Sequence, residues 1–250
     1  MLFRGLEKAS FSSEPLKGVL LQAHVADFSR FWILCFGAHS DDIEIGLGGT
    51  LLELAAKHPD SEIWWVVFSA PGPRAEEAHR SANEFLSDVT KREIRIGSFR
   101  ESYFPSEWSA IKDWFEEIKA GFNPEVVFTH YRDDRHQDHR VLSDLAWNTF
   151  RNHLILEYEI LKYDGDLGQP NLFIPLSEQN GDRKVDLQMK HFQTQVTKHW
   201  FTRDTFEAMH RIRGIECACQ PVAPRRSTAE SWSARLCNAP GLLDRCSHSD

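Results

Sequence analysis

Several things this chain of 250 residues lacks narrow what it can be. Cysteine is scarce and badly placed for cross-linking. Of the five, Cys35 stands alone in an apolar run and the others fall in the last 34 residues, which excludes a disulfide framework. No apolar run approaches the ~20 residues needed to span a bilayer. The opening stretch, MLFRGLEKASFSSEPLKG, has neither the apolar core nor the cleavage site of a secretory signal. The expectation is a cytoplasmic protein without stable membrane insertion. A basic excess is also missing: the net charge is -8, and such a surface repels phosphate backbones, so nucleic acid is not an expected partner. What remains is a small-molecule or glycoconjugate substrate, with self-association left open.

With 41% hydrophobic and 26% charged residues, the composition is that of an ordinary globular domain. Residues 1–30 read as an N-terminal extension and 31–216 as the main domain. Residues 217–250, rich in Cys, Arg, Ser and Pro, show neither helical nor strand period and read as a poorly ordered or peripheral tail.

Within the main domain, strand and helix alternate. WILCFGA at 32–38 is a continuous apolar run of the kind that fills a strand buried on both faces. Further strands are expected at 63–70, 92–98, 125–130 and 154–164. Between them the apolar spacing predicts helices over TLLELAAKH, 74–87, 106–120 and 137–152. Residues 165–185 read as an active-site loop, and helices at about 186–197 and 203–212 close the domain. This alternation predicts an α/β fold, a Rossmann-like, doubly wound and mostly parallel sheet of order 3-2-1-4-5 with helices on both faces.

Two polar clusters follow strands one and four: His39-Ser40-Asp41-Asp42, and Asp134-Arg135-His136-Gln137-Asp138-His139. Taken singly, each also reads as a helix cap or a solvated helix start. Taken together they are more informative, because a 3-2-1-4-5 sheet makes strands one and four neighbours. Ligands of open α/β folds bind in the crevice at that switch point. A catalytic zinc takes three protein ligands from His and Asp/Glu and keeps one position for water; His39, Asp42 and His139 supply such a set. Asp41 is then available as general base, His136 as an imidazolium that stabilises an oxyanion and protonates a leaving amine, and Asp138 to orient a histidine. Iron(II), cobalt or another divalent transition metal fits the same ligands. Gly46, Gly48 and Gly49 do not make a dinucleotide fingerprint and are read as letting the helix approach the sheet.

FGAHSDDIEIGLGGT together with THYRDDRHQDHR resembles the LmbE/PIG-L family of metal-dependent N-deacetylases, over roughly residues 31–216. The resemblance implies one catalytic zinc per chain and removal of an acetyl group from an N-acetylated amino sugar or its conjugate. His39, Asp42 and His139 then correspond to zinc ligands, Asp41 to the base, and His136 to the histidine that stabilises the intermediate, with Asp138 as its motif neighbour. PRAEEAHRSANEFL resembles an arginine-led helix of the family, which makes Arg74 a candidate substrate contact. Two departures stand out. Ser40 occupies a position where the family has proline, which is expected to loosen the loop. The tail stands in place of a closing Gly-Tyr-Ala-Glu-Ala-Phe-like segment. Alternative readings are a binding homologue without catalysis and an amidohydrolase acting on a non-sugar compound.

Overall fold

The computed structural model describes residues 30–217 and 228–235. Strand β1 (Trp32–His39) sends alternate residues to opposite faces of the sheet, and both faces are covered. Ile33 and Cys35 enter one core, while Leu34, Phe36 and Ala38 enter the other. That two-sided burial is why β1 reads as an unbroken apolar run. Strands β2 (Glu62–Ser69), β3 (Lys91–Ile96), β4 (Val126–His130) and β5 (Leu154–Tyr158) join it in parallel, and the order begins 3-2-1-4-5 as the alternation predicts.

Helices α1 (Asp42–Lys57) and α2 (Pro73–Phe85) lie in one layer with α5 (Glu178–His191) and α6 (Arg203–Glu216); α3 (Trp108–Gly121) and α4 (Gln137–Thr149) cover the other face. Helix α1 is buried along most of its length, and its glycines permit this. A Cβ on Gly46 would lie 2.2 Å from the Tyr158 ring, and one on Gly49 2.5 Å from Leu176.

Two further strands extend the sheet beyond β5, giving the full order β3-β2-β1-β4-β5-β7-β6. Strand β6 (Leu172–Leu176) and the first half of α5 occupy the stretch expected to be a loop. Helix α5 starts this early because Ser177 caps it, its hydroxyl accepting from the Asn180 N–H at 3.3 Å. Strand β5 stops at Tyr158, short of the expected 164, and the chain then turns back over the cluster that follows β4.

Residues 228–235, expected in a tail without strand period, form β7, antiparallel to both β5 and β6. The segment TAESWSAR is largely polar, so no apolar alternation announces a strand there. The remainder of 217–250 past Cys217, and residues 1–29 of the N-terminal extension, lie outside the described residues.

Candidate active site

Strands β1 and β4 are hydrogen-bonded neighbours, so the two polar clusters meet at their C-terminal ends. His39 is the last residue of β1, and Asp41 and Asp42 open α1. His136 is the N-cap of α4, where its Nδ1 accepts from the Asp138 N–H at 3.3 Å; His139 sits in the first turn.

Two carboxylates fix how the histidines point. Asp138 Oδ2 lies 3.1 Å from His39 Nε2, and Asp134 Oδ2 lies 2.9 Å from His139 Nδ1. Each carboxylate takes an N–H from the outer nitrogen, which leaves His39 Nδ1 and His139 Nε2 as lone-pair donors facing inward. This is the carboxylate–histidine arrangement that orients metal-ligating imidazoles. The inward nitrogens are 3.2 Å apart, and each is 3.4 Å from Asp42 Oδ2. A tetrahedral site with bonds of about 2.0–2.1 Å has ligand–ligand edges of roughly 3.3–3.4 Å, so the spacing of these three atoms fits one divalent ion. His136 and His130 border the same centre: His39, His136 and His139, and Asp42, His130 and His139, form two overlapping groups whose ligand atoms fall within 4.8 Å of one another.

The electrostatics also fit a cation. Burial opposes a charge on His39, yet Asp42 and Asp138 outweigh it and push its pKa up to about 10. Burial likewise opposes charge on His139, and Asp42 and Asp134 overcome it, raising that pKa too. Asp42 is held well below the usual carboxylate range, the three neighbouring histidines outweighing its burial. The carboxylates thus draw positive charge into the cluster, which protons or one metal ion can supply. His136 behaves differently: burial and then the charges of His139 and His39 bring it down to about 4. So lowered, it favours an uncharged imidazole at neutral pH, with Nδ1 accepting at the cap and Nε2 left to carry the proton.

Asp41 is buried, and burial followed by the charge of Asp42 raises its pKa; Arg74 and then Lys198 pull the other way. Arg74 is engaged at all three of its guanidinium nitrogens. Nε donates to Ser40 Oγ at 2.9 Å, Nη2 to Asp41 Oδ1 at 3.3 Å and Nη1 to Glu101 Oε2 at 2.6 Å. Ser40 is fully buried and accepts from Arg74 Nε, so the loop expected to be loosened at this serine is braced. Asp138 has a second task, accepting from the backbone N–H groups of Ser102 at 2.6 Å and Phe104 at 3.1 Å. Ser102 has φ of 66°, a left-handed conformation uncommon outside glycine. The Asp138 carboxylate therefore joins His39 to the loop that carries Glu101.

All seven side chains singled out in the sequence (His39, Asp41, Asp42, Arg74, His136, Asp138 and His139) come together here. Asp134, His130, Glu101 and Lys162 received no role from sequence. Asp134 was visible inside its cluster, five residues before the histidine it holds. Lys162, whose Nζ is 3.1 Å from Asp134 Oδ2, gave no signal, since only the return of the chain after β5 brings it near.

Residues 34–150 match the model of the PIG-L family, described as GlcNAc-PI de-N-acetylase. Among solved structures, N,N'-diacetylchitobiose deacetylase from Pyrococcus horikoshii superposes with a TM-score of 0.63 at 18% identity, covering 94% of this chain and 90% of its own. The zinc-inhibited form of teicoplanin deacetylase Orf2 gives 0.62 at 15% identity, over 81% and 97%. GalB, the 4-carboxy-2-hydroxymuconate hydratase from Pseudomonas putida KT2440, gives 0.61 at 15% identity, over 82% and 95%. At such identities the likeness establishes a shared fold, and a fold serves more than one chemistry. The family match is more specific, for it runs from within β1 to the end of α4 and includes every one of those seven side chains: residues 34–150 are similar to the PIG-L family.

Proposed function

We propose that this chain is a metal-dependent hydrolase that removes the acetyl group from an N-acetylated amino sugar or a conjugate carrying one. The observation that carries the reading is the inward triad of His39 Nδ1, Asp42 Oδ2 and His139 Nε2, each within 3.4 Å of the other two. Zinc is the metal the donor set suits best. Held by this triad, a divalent ion would supply Lewis acidity and bring the pKa of water towards ~7.

The chain's own groups account for the proton movements. Asp41 takes a proton from the attacking water on its carboxylate, and Arg74 holds that carboxylate in place. As the new C–O bond forms at the acetamide carbon, charge collects on the carbonyl oxygen, and His136 Nε2–H donates to it as a neutral group. Asp41 then returns its proton to the nitrogen as the C–N bond breaks, leaving acetate and a free amine. Asp138 and Asp134 take no proton; they keep His39 and His139 turned inward.

Acetate release is the test. The full-length chain, stripped of metal and then supplied with Zn2+ or Co2+, is incubated with a panel of N-acetylated amino sugars and their conjugates. The expected outcome is metal-dependent acetate with an equal yield of free amine. Hydrolysis confined to non-sugar N-acetyl compounds would overturn the sugar assignment. Metal binding with no amide cleaved anywhere in the panel would overturn the hydrolase assignment and turn attention to other water chemistry on this fold.

A further inference from the structure

Helix α1 carries Asp41 and Asp42 at its start, and its middle is gripped by an ion pair the mechanism does not use. Glu230, on β7, is buried. Its Oε1 accepts from the Gly49 N–H at 2.9 Å and its Oε2 from the Thr50 N–H at 2.8 Å, both in the interior of α1. Lys184 of α5, also buried, donates to Glu230 Oε1 at 2.5 Å and to the backbone oxygen of Ile45 at 2.7 Å. The Ile45 N–H in turn donates to the Asp41 oxygen at 3.0 Å. An unbroken series of polar contacts therefore leads from β7 to the residue beside the metal ligand. The approach depends on Gly49, where a Cβ would stand 3.0 Å from Glu230 Oε1.

We propose that Glu230 is a positioning residue for the metal site, acting with Lys184 to fix α1 and so the Asp41–Asp42 pair at its N-terminus. The inference rests on the metal site proposed above. A buried ion pair on its own is weak evidence for anything beyond folding. Here, however, the carboxylate takes backbone N–H groups of the ligand-bearing helix, and the lysine takes the carbonyl one turn from Asp42. Both groups hold the backbone of α1, not a side chain on it, so any shift of the helix must break these bonds. The β7 segment would then be an integral part of the site although it touches no reacting atom.

The test uses full-length protein and Co2+ alone as the probe. Affinity is measured by chelator competition, together with the visible spectrum of the bound cobalt and amide hydrogen exchange at Gly49 and Thr50. Glu230→Gln is expected to weaken cobalt binding by about tenfold, the low end of what misoriented ligands cost. It should also alter the cobalt spectrum and speed exchange at both amides. If that variant does not fold, the double change Lys184→Met with Glu230→Leu, which replaces the ion pair by apolar volume, should show the same losses. Because coupling is reciprocal, cobalt binding to the wild-type chain should slow exchange at Gly49 and Thr50. A folded variant with wild-type affinity and spectrum would overturn the proposal, as would wild-type exchange indifferent to cobalt. A wild-type chain that binds no cobalt would instead bring down the metal site itself, and this inference with it.

Discussion

Asp41 and Asp42 are consecutive carboxylates whose surroundings shift them in opposite directions. Asp42 faces histidines, which hold it ionised. Asp41 faces burial and the charge of Asp42, and Arg74 keeps its rise in check. Asp41 must be ionised to accept a proton, so activity is expected to fall as pH drops through its pKa. Removing Arg74 takes away the leading influence that lowers that pKa. In Arg74→Met the acid limb of kcat/KM should therefore move to higher pH, with metal content unchanged. A pH–rate profile measured alongside wild type checks this; an unmoved limb, or one moved to lower pH, would contradict the assigned role. The two clusters that meet here were legible in the sequence as residue types at two strand ends. The brace formed by Ser40, Arg74 and Glu101 was not, because it joins the turn after β1, the first turn of α2 and the loop after β3, which are distant in sequence.

At the scale of elements, α1 is the part on which most depends, since it presents two site carboxylates and is buried against the sheet, α5 and β7. Its glycines are contact points rather than flexible joints. Gly46→Ala would place a methyl 2.2 Å from the Tyr158 ring and 2.9 Å from the backbone oxygen of Glu159, and neither can withdraw without moving β5 or the chain after it. The expected cost is about 1–3 kcal/mol of folding stability, measured by urea unfolding; a variant as stable as wild type would show that α1 packs less closely than described. β1 and β2 were legible because burial on both faces leaves a continuous apolar signature, whereas β3, a charged strand at the sheet edge, was legible only from the alternation of strand and helix. β6 and β7 were not, for identifiable reasons. LFIPL carries Pro175, which a strand tolerates at the sheet edge where β6 lies. TAESWSAR is largely polar and owes its place to partners on both sides. The early start of α5 depends on one serine cap in a stretch otherwise dominated by turn-forming residues.

Taken as a whole, the molecule brings residues a hundred positions apart, His39 and His139, to within 3.2 Å by making β1 and β4 neighbours. The same sheet serves deacetylases and a hydratase among its structural relatives, so it is the site, not the fold, that selects the chemistry. No helix among the described residues is long and apolar enough to cross a membrane. The central claim is that a metal held by His39, Asp42 and His139 works with Asp41 as base to cleave an acetamide. Comparing wild type with Asp41→Asn, each assayed for bound zinc and for acetate released from N-acetylated amino sugars, addresses it most directly. About one zinc per chain is expected in both proteins, with acetate release slower by about 10²–10⁴-fold in the variant. A variant that releases acetate at the wild-type rate with its zinc in place would contradict it.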